Sequence, residues 1–352
     1  MPVEIHDGLL HYNEVASRLS DGRSHLLLGN GFSMACDDVF TYTSLYDAAV
    51  ASGLSERAQA VFTRLGTNNF EGAMRLLDDG HFLARTYGLI DGERSEMLSD
   101  LEIIKRSLLD AVARSHLAHT GEVSDERKAC AAAFLSPYHN IFTTNYDLLA
   151  YWVNMAAGPP PPYEDGFRSD EDDPGAESVI FTEHLGDKKG LFFLHGALHL
   201  YLNGGALRKH SWARTGRRLT DQIREGLDHG HYPLFVAEGS ADRKLEQIRS
   251  SAYLSYCLSK FGRITNRLVL FGHSLGASDA HIADVLVRND KLRELFVGLF
   301  RDETSAASRD TRNAVEQISE NWERRNGDGR RPSRFDIHFY DSSTASCWDP
   351  HG

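Results

Sequence analysis

The chain has 352 residues, 41% of them hydrophobic, with 38 Lys and Arg against 50 Asp and Glu and a net charge of -12. That length supports one large α/β domain with insertions, or two domains. The scattered basic residues give no electrostatic footprint for nucleic acid, and no apolar run reaches the roughly 20 residues of a membrane span.

Residues 24–28, Ser-His-Leu-Leu-Leu, form a short apolar run that ends at Gly29 and predicts a first strand. From about residue 45 to 133 strand character is sparse. Apolar residues recur there at three-to-four spacing in 70–77 and 97–112, which marks amphipathic helices, so the stretch reads as a helical insertion. Residues 141–143 predict a second strand and 147–155 a helix. Gly158 and the four prolines after it stop that helix, because proline lacks the donor and clashes with the preceding turn. With the acidic run 164–173 they predict a solvated loop over 158–176, inside an acidic, Pro-rich insertion that extends to about 190. Strands are expected at 191–194, 234–237, 268–271 and 295–300. Helices are expected at 242–261, 278–288 and 311–325, and the alternating residues 335–340 close the sheet. Strands separated by helices predict one domain over 1–352, a doubly wound, mostly parallel Rossmann-like sheet with a helical insertion.

Four separated segments carry the chemistry. Gly29-Asn30-Gly31-Phe32-Ser33, Leu194-His195-Gly196 and Gly272-His273-Ser274-Leu275 each end an apolar run, and Thr143-Thr144-Asn145-Tyr146-Asp147 follows another. In an open parallel sheet, ligands bind beyond the carboxyl ends of the strands, so the four can meet in one pocket. A G-x-G turn lets backbone approach a phosphate and points amides at it; a tight turn explains the same glycines. Asn145 can donate and accept toward a ribose hydroxyl or a water, with Asp147 as an acceptor beside it. Asp147 is equally a good helix cap. His195, with glycine leaving space beside it, is a candidate base near neutral pH; a packed histidine is the plain alternative. His199, four residues on, shares no helical face with it, so a metal pair is not expected.

Gly272-His273-Ser274-Leu275-Gly276 also fits the G-x-S-x-G elbow of serine hydrolases. An acid and a histidine must then follow. Asp336 with His338, or Asp349 with His351, are the late pairs available. The first pair lies two residues apart in one strand, and this reading leaves the other three segments without a role.

In their order and residue types, the four segments resemble the sirtuin-like NAD-hydrolase domains of bacterial anti-phage defence. The prokaryotic branch of that family reads G-Y-S-L-x-D-x-H-I at its last motif; here Gly272-His273-Ser274-Leu275 precedes Asp279-Ala280-His281-Ile282. The resemblance covers roughly residues 24–287. It implies NAD as substrate, cleaved to nicotinamide and ADP-ribose, in a defence effector acting by abortive infection. His195, Asn145 and Asp147 would be the catalytic set. Gly29, Asn30, Gly31, Ser33, Thr144, Gly272, Ser274 and Asp279 would surround the dinucleotide. Asn30 stands where the family has alanine. The four-cysteine zinc module of deacetylase sirtuins is missing, with only Cys257 in that interval. No zinc is therefore expected, and hydrolysis is favoured over deacylation. The resemblance further implies an activating partner protein in trans and a homo-oligomer. The other cysteines, Cys36, Cys130 and Cys347, form no C-x-x-C pair, which fits a reducing compartment. Residues 1–11 lack a signal-peptide pattern, so a cytoplasmic protein without direct nucleic-acid or membrane contact is expected. A non-catalytic NAD or ADP-ribose sensor and a serine hydrolase using Ser274 remain as alternatives.

Overall fold

The computed structural model describes residues 3–19, 24–66, 68–88, 91–117, 119–183, 185–237, 240–300, 305–326 and 334–350. The strands in chain order are β1 (Val3–His11), β2 (Ser24–Leu28), β3 (Asn140–Thr143), β4 (Phe167–Arg168), β5 (Ser178–Phe181), β6 (Gly190–Phe193), β7 (Gly196–Asn203), β8 (Ala206–His210), β9 (Pro233–Phe235), β10 (Asn266–Phe271), β11 (Leu292–Leu299) and β12 (Phe335–Asp341). Seven of them make one sheet in the order β1-β12-β11-β10-β2-β3-β6. Every pairing in it is parallel. The chemistry of its central strands explains this. Leu26, Leu27 and Leu28 of β2, and Leu268, Val269 and Leu270 of β10, have no exposed surface, and such unbroken apolar runs need cover on both faces. Helices supply it, giving the doubly wound α/β architecture that the sequence predicts.

Chain order reverses at β2. Its neighbours are β3, which follows it, and β10, which returns more than two hundred residues later. The crevice at such a reversal is the usual ligand position of an open α/β sheet. Register sharpens the point, because Leu28 lies opposite both Phe271 and Thr143, and Thr143 lies opposite Phe193. Four adjacent strands thus end at one level, and the segments that follow them emerge side by side.

Five strands make a second sheet, antiparallel, in the order β4-β5-β8-β7-β9. Sequence reasoning places 234–237 in the main sheet. Instead Leu234 lies in β9 and pairs with Ala197 of β7. A three-residue apolar strand reads the same in either sheet, and only its partner distinguishes them. β1 was not expected at all. Its burial is mixed and it sits at the sheet edge, paired to β12 alone with a register shift between His6 and Leu9.

Between β2 and β3 the chain is helical, with helices Tyr42–Ala51, Glu56–Leu65, Phe70–Thr86, Asp91–Ser115 and Asp125–Leu135. The stretch 158–176, expected as solvated loop, is only partly so. Residues 171–175 are exposed, whereas Tyr163, Asp165, Phe167 and Asp170 are buried. Asp165 pairs with Lys209 and Asp170 with Arg208, 2.7 Å apart. The acidic run therefore answers the basic residues of β8, which composition alone does not reveal.

Candidate functional site

A cavity of about 390 Å³ opens over the aligned strand ends, within the size range of small-molecule sites. Thr144, Asn145, Tyr146, Asp147 and His195 line it from the strand ends. The loop after β10 gives Gly272 to Ser274 and Gly276 to Asp279. The roof is the helical insertion, through Leu45, Phe70, Arg75, Leu108 and Val112. Of the sequence-predicted residues, Asn30, Thr144, Asn145, Asp147, His195, Gly272, Ser274 and Asp279 reach the cavity wall, and Gly29, Gly31 and Ser33 lie behind it.

Those three have different work. A Cβ on Gly29 would stand 2.4 Å from the Gly272 carbonyl, and one on Gly31 would stand 2.5 Å from the Gly272 Cα. The two turns therefore interlock backbone to backbone, which only glycine permits. The Gly29 amide donates to the Phe271 carbonyl at 2.9 Å, and the Gly31 amide to Gly272 at 3.0 Å. The amides of the two glycines are therefore occupied by backbone carbonyls. Ser33 is fully buried; its hydroxyl donates to Asp147 Oδ2 at 2.5 Å and accepts from Asn145 Nδ2 at 2.9 Å.

Asn145 also donates from Nδ2 to the Gly29 carbonyl at 3.0 Å. Both of its amide hydrogens have partners, so toward a ligand it presents its oxygen, as an acceptor. Asp147 has two partners: Oδ1 accepts from the Leu149 amide at 2.8 Å in the turn before the helix Leu149–Ala156, whose N-cap is Leu148 rather than the expected Asp147, while Oδ2 holds Ser33. His116 takes the Leu148 amide on Nε2 at 3.0 Å and steadies the same turn.

His195 sits where the chain leaves β6 for β7, 1% exposed. Gly196 makes the bend with φ +81, and a Cβ there would stand 2.0 Å from the Leu234 carbonyl. The His195 carbonyl accepts from the Val236 amide at 2.8 Å. Around the ring is a group of which sequence reasoning had named only Asp279 as a site residue. His195 Nε2 and His281 Nε2 lie 2.9 Å apart, so one ring donates and the other accepts. Asp279 Oδ1 is 3.8 Å from His195 Nε2 and 2.9 Å from Lys244 Nζ. His273 Nδ1 accepts from the Leu275 amide at 3.0 Å, which leaves its proton on Nε2, 3.4 Å from Asp279 Oδ2.

Charge in this group follows from burial. Desolvation pushes His195 well below the usual imidazole range and holds His281 down to about 4, against the pull of Asp279. Burial alone would raise the Asp279 carboxyl, but His273 and the Lys244 ammonium outweigh it and hold it well below the ordinary carboxylate value. The cluster is thus two neutral imidazoles beside an anchored ion pair. Ligand atoms of His195, Asp279 and His281 lie within 4.8 Å of one another, a metal-like grouping; the Lys244 ammonium on the same carboxylate repels a second cation there. Two signals for the missed members were in the sequence. His281 is two residues from Asp279, and Lys244 is four before Ile248, on the buried face of the helix Ala241–Ser250.

Ser274 lines the cavity and Leu275 has φ 53, a strained backbone for a branched side chain. The late acid–histidine pairs are elsewhere: Asp336 and His338 belong to β12, where His338 stacks on Phe296 and His6. Asp349 is not among the cavity-lining residues, and His351 lies outside the described residues. His199 is packed between Tyr151 and Phe193, with ring centroids at 4.9 and 5.1 Å.

A family model described as "Domain of unknown function (DUF4917)" matches residues 26–348. No curated protein matches the chain. Among the described residues, no helix is long and apolar enough to cross a membrane.

Proposed function

The chain belongs to the DUF4917 family, and for this member we propose hydrolysis of NAD at the nicotinamide N-glycosidic bond, giving nicotinamide, ADP-ribose and a proton, in a cytoplasmic defence effector. The single observation that carries this reading is the meeting of Asn145 and His195, fifty residues apart, in the wall of one cavity at the chain reversal of a parallel sheet. The nicotinamide and defence assignments come from the resemblance of the four motifs.

Nicotinamide leaves a cationic glycoside as a neutral molecule, so cleavage asks little of a general acid. The transition state is oxocarbenium-like. Water then adds to the sugar carbon and must lose a proton. Asn145 Oδ1 orients that water or a ribose hydroxyl, since its donors are held by Gly29 and Ser33. The proton goes to the neutral His195–His281 pair. Asp279, ionised beside Lys244, stabilises the imidazolium that results. Gly272, Ser274 and Thr144 border the sugar.

His195→Ala and Asn145→Ala should each lower nicotinamide release by a factor of about 10² to 10⁴ with the fold retained. Purified protein is mixed with NAD, alone and with extract of phage-infected cells, and nicotinamide is followed by chromatography. Undiminished turnover in either variant removes the assigned roles. Calorimetric binding of NAD with no nicotinamide released under either condition replaces the hydrolase by a sensor.

A further inference from the structure

We propose that the helical insertion carries the phosphate-recognition residue of this site, Arg75, so that a diphosphate is held from the roof rather than by the glycine turn. The inference rests on the dinucleotide reading and extends it to the group that selects for phosphate.

The two glycine amides and the serine hydroxyl of the first turn are engaged within the protein. The amides of Gly29 and Gly31 donate to Phe271 and Gly272, and the Ser33 hydroxyl donates to Asp147. A dianionic diphosphate still needs positive charge or donors. Among the described residues lining the cavity, Arg75 is the one guanidinium or ammonium group. The cations nearby are engaged. Lys244, fully buried, is on Asp279 at 2.9 Å. Arg127 lines a neighbouring cavity of about 720 Å³ that shares Gly272, and it donates to the carbonyls of Cys36 and Trp348 at 2.6 and 3.3 Å.

Arg75 differs from both. Its side chain is half exposed, and its carboxylate neighbour, Asp79, lies 3.7 Å away one helical turn on and is itself 63% exposed. Such a surface pair is worth little and yields readily to a better anion. The helix Phe70–Thr86 is fixed below by Phe70, Ala73 and Met74, all without exposed surface. Arg75 therefore stands on a rigid support at the cavity edge. A planar guanidinium grips two phosphate oxygens at once. Across the cavity, the loop at Ser274, Gly276 and Ser278 adds small polar groups that leave room for a diphosphate.

The test compares NAD with nicotinamide riboside, which has the same glycosidic bond and no phosphate. Arg75→Gln should raise KM for NAD roughly 10- to 100-fold, with kcat within about threefold and the riboside kinetics unchanged; Arg75→Lys should recover part of the loss. An unchanged KM for NAD, or an equal rise for both substrates, overturns the inference and leaves the hydrolase reading intact. If the wild-type protein releases no nicotinamide from NAD, the hydrolase reading is the one that fails. Calorimetry with ADP-ribose then decides the phosphate site alone. Binding weakened at least tenfold in Arg75→Gln supports it, and equal binding, or none in the wild type, overturns it.

Discussion

Two side-chain groups meet at the cavity, one joined by hydrogen bonds and one by charge, and these two walls are built on opposite electrostatic plans. On one side Ser33, Asn145 and Asp147 form a closed chain of hydrogen bonds, in which both Asn145 amide hydrogens have partners and the one carboxylate accepts from a hydroxyl and an amide. On the other, His195, His273, His281, Lys244 and Asp279 form a titratable group with a full ion pair inside it. The first wall can hold an atom in place. The second can take up a proton, and its buried His281 Nδ1 has no hydrogen-bond partner among the described residues. A site with fixed geometry on one side and movable charge on the other separates positioning from proton transfer.

The largest effect is expected where the charged wall loses its anchor. Lys244→Met leaves Asp279 buried without its ammonium, and breaking such a pair from one side typically costs about 3–5 kcal/mol. Thermal unfolding should fall by about 4–7 °C. Lys244 also holds the His195 pKa down, so its loss raises that pKa and moves the acid limb of kcat/KM to higher pH. Adding Asp279→Asn removes the stranded charge and should restore most of the stability. A double variant as unstable as the single one would mean that Lys244 acts by packing.

Group by group, a smaller effect comes from pH alone. Burial holds His281, His25 and His210 at about 4, while each titrates near 6.5 in the unfolded chain. Between those values the unfolded chain binds more protons than the folded one. Stability is therefore full above pH 6.5 and declines as pH falls toward 4, by on the order of 1–3 kcal/mol for each group. Thermal melts between pH 7 and 4.5 should show this slope, and His281→Gln should make it shallower. A flat profile would mean that these rings are charged in the fold.

The contrast also explains what the sequence could show. Leu26 to Leu28 and Leu268 to Leu270 announce buried parallel strands because nothing polar interrupts them, and the residue after each run marks the ligand crevice. Thr144, Asn145, His195 and Ser274 were legible for that reason, since each lies within three residues of a strand end. Side chains that arrive from helices were not. Lys244 and His281 sit in helical segments whose faces are settled only when those helices pack, and Arg75 reads as an ordinary surface arginine until the insertion folds over the strand ends. The second sheet stayed hidden because Gly196 to Asn203 continues from the same apolar run as β6, and the turn at His195 leaves no composition break. The acidic run at 164–173 looked solvated because its partners, Arg208 and Lys209, are some forty residues away.

The hydrogen-bonded wall gives the smallest expected change and the cleanest comparison. Ser33→Ala deletes one hydroxyl that serves two neighbours, leaving Asn145 Nδ2 short of one acceptor and Asp147 Oδ2 short of one donor. A lost buried hydrogen bond of this kind costs about 1–3 kcal/mol, so the melt should fall by a few degrees. Activity should fall because Asn145 is freer to turn, but no charge has changed. The acid limb of kcat/KM should stay where the wild type has it, in contrast to Lys244→Met. Measuring both variants over the same pH range tests the division directly. If Ser33→Ala moves the limb as far as Lys244→Met does, the two walls titrate as one network, and proton transfer then extends through Asp147 as well as Asp279.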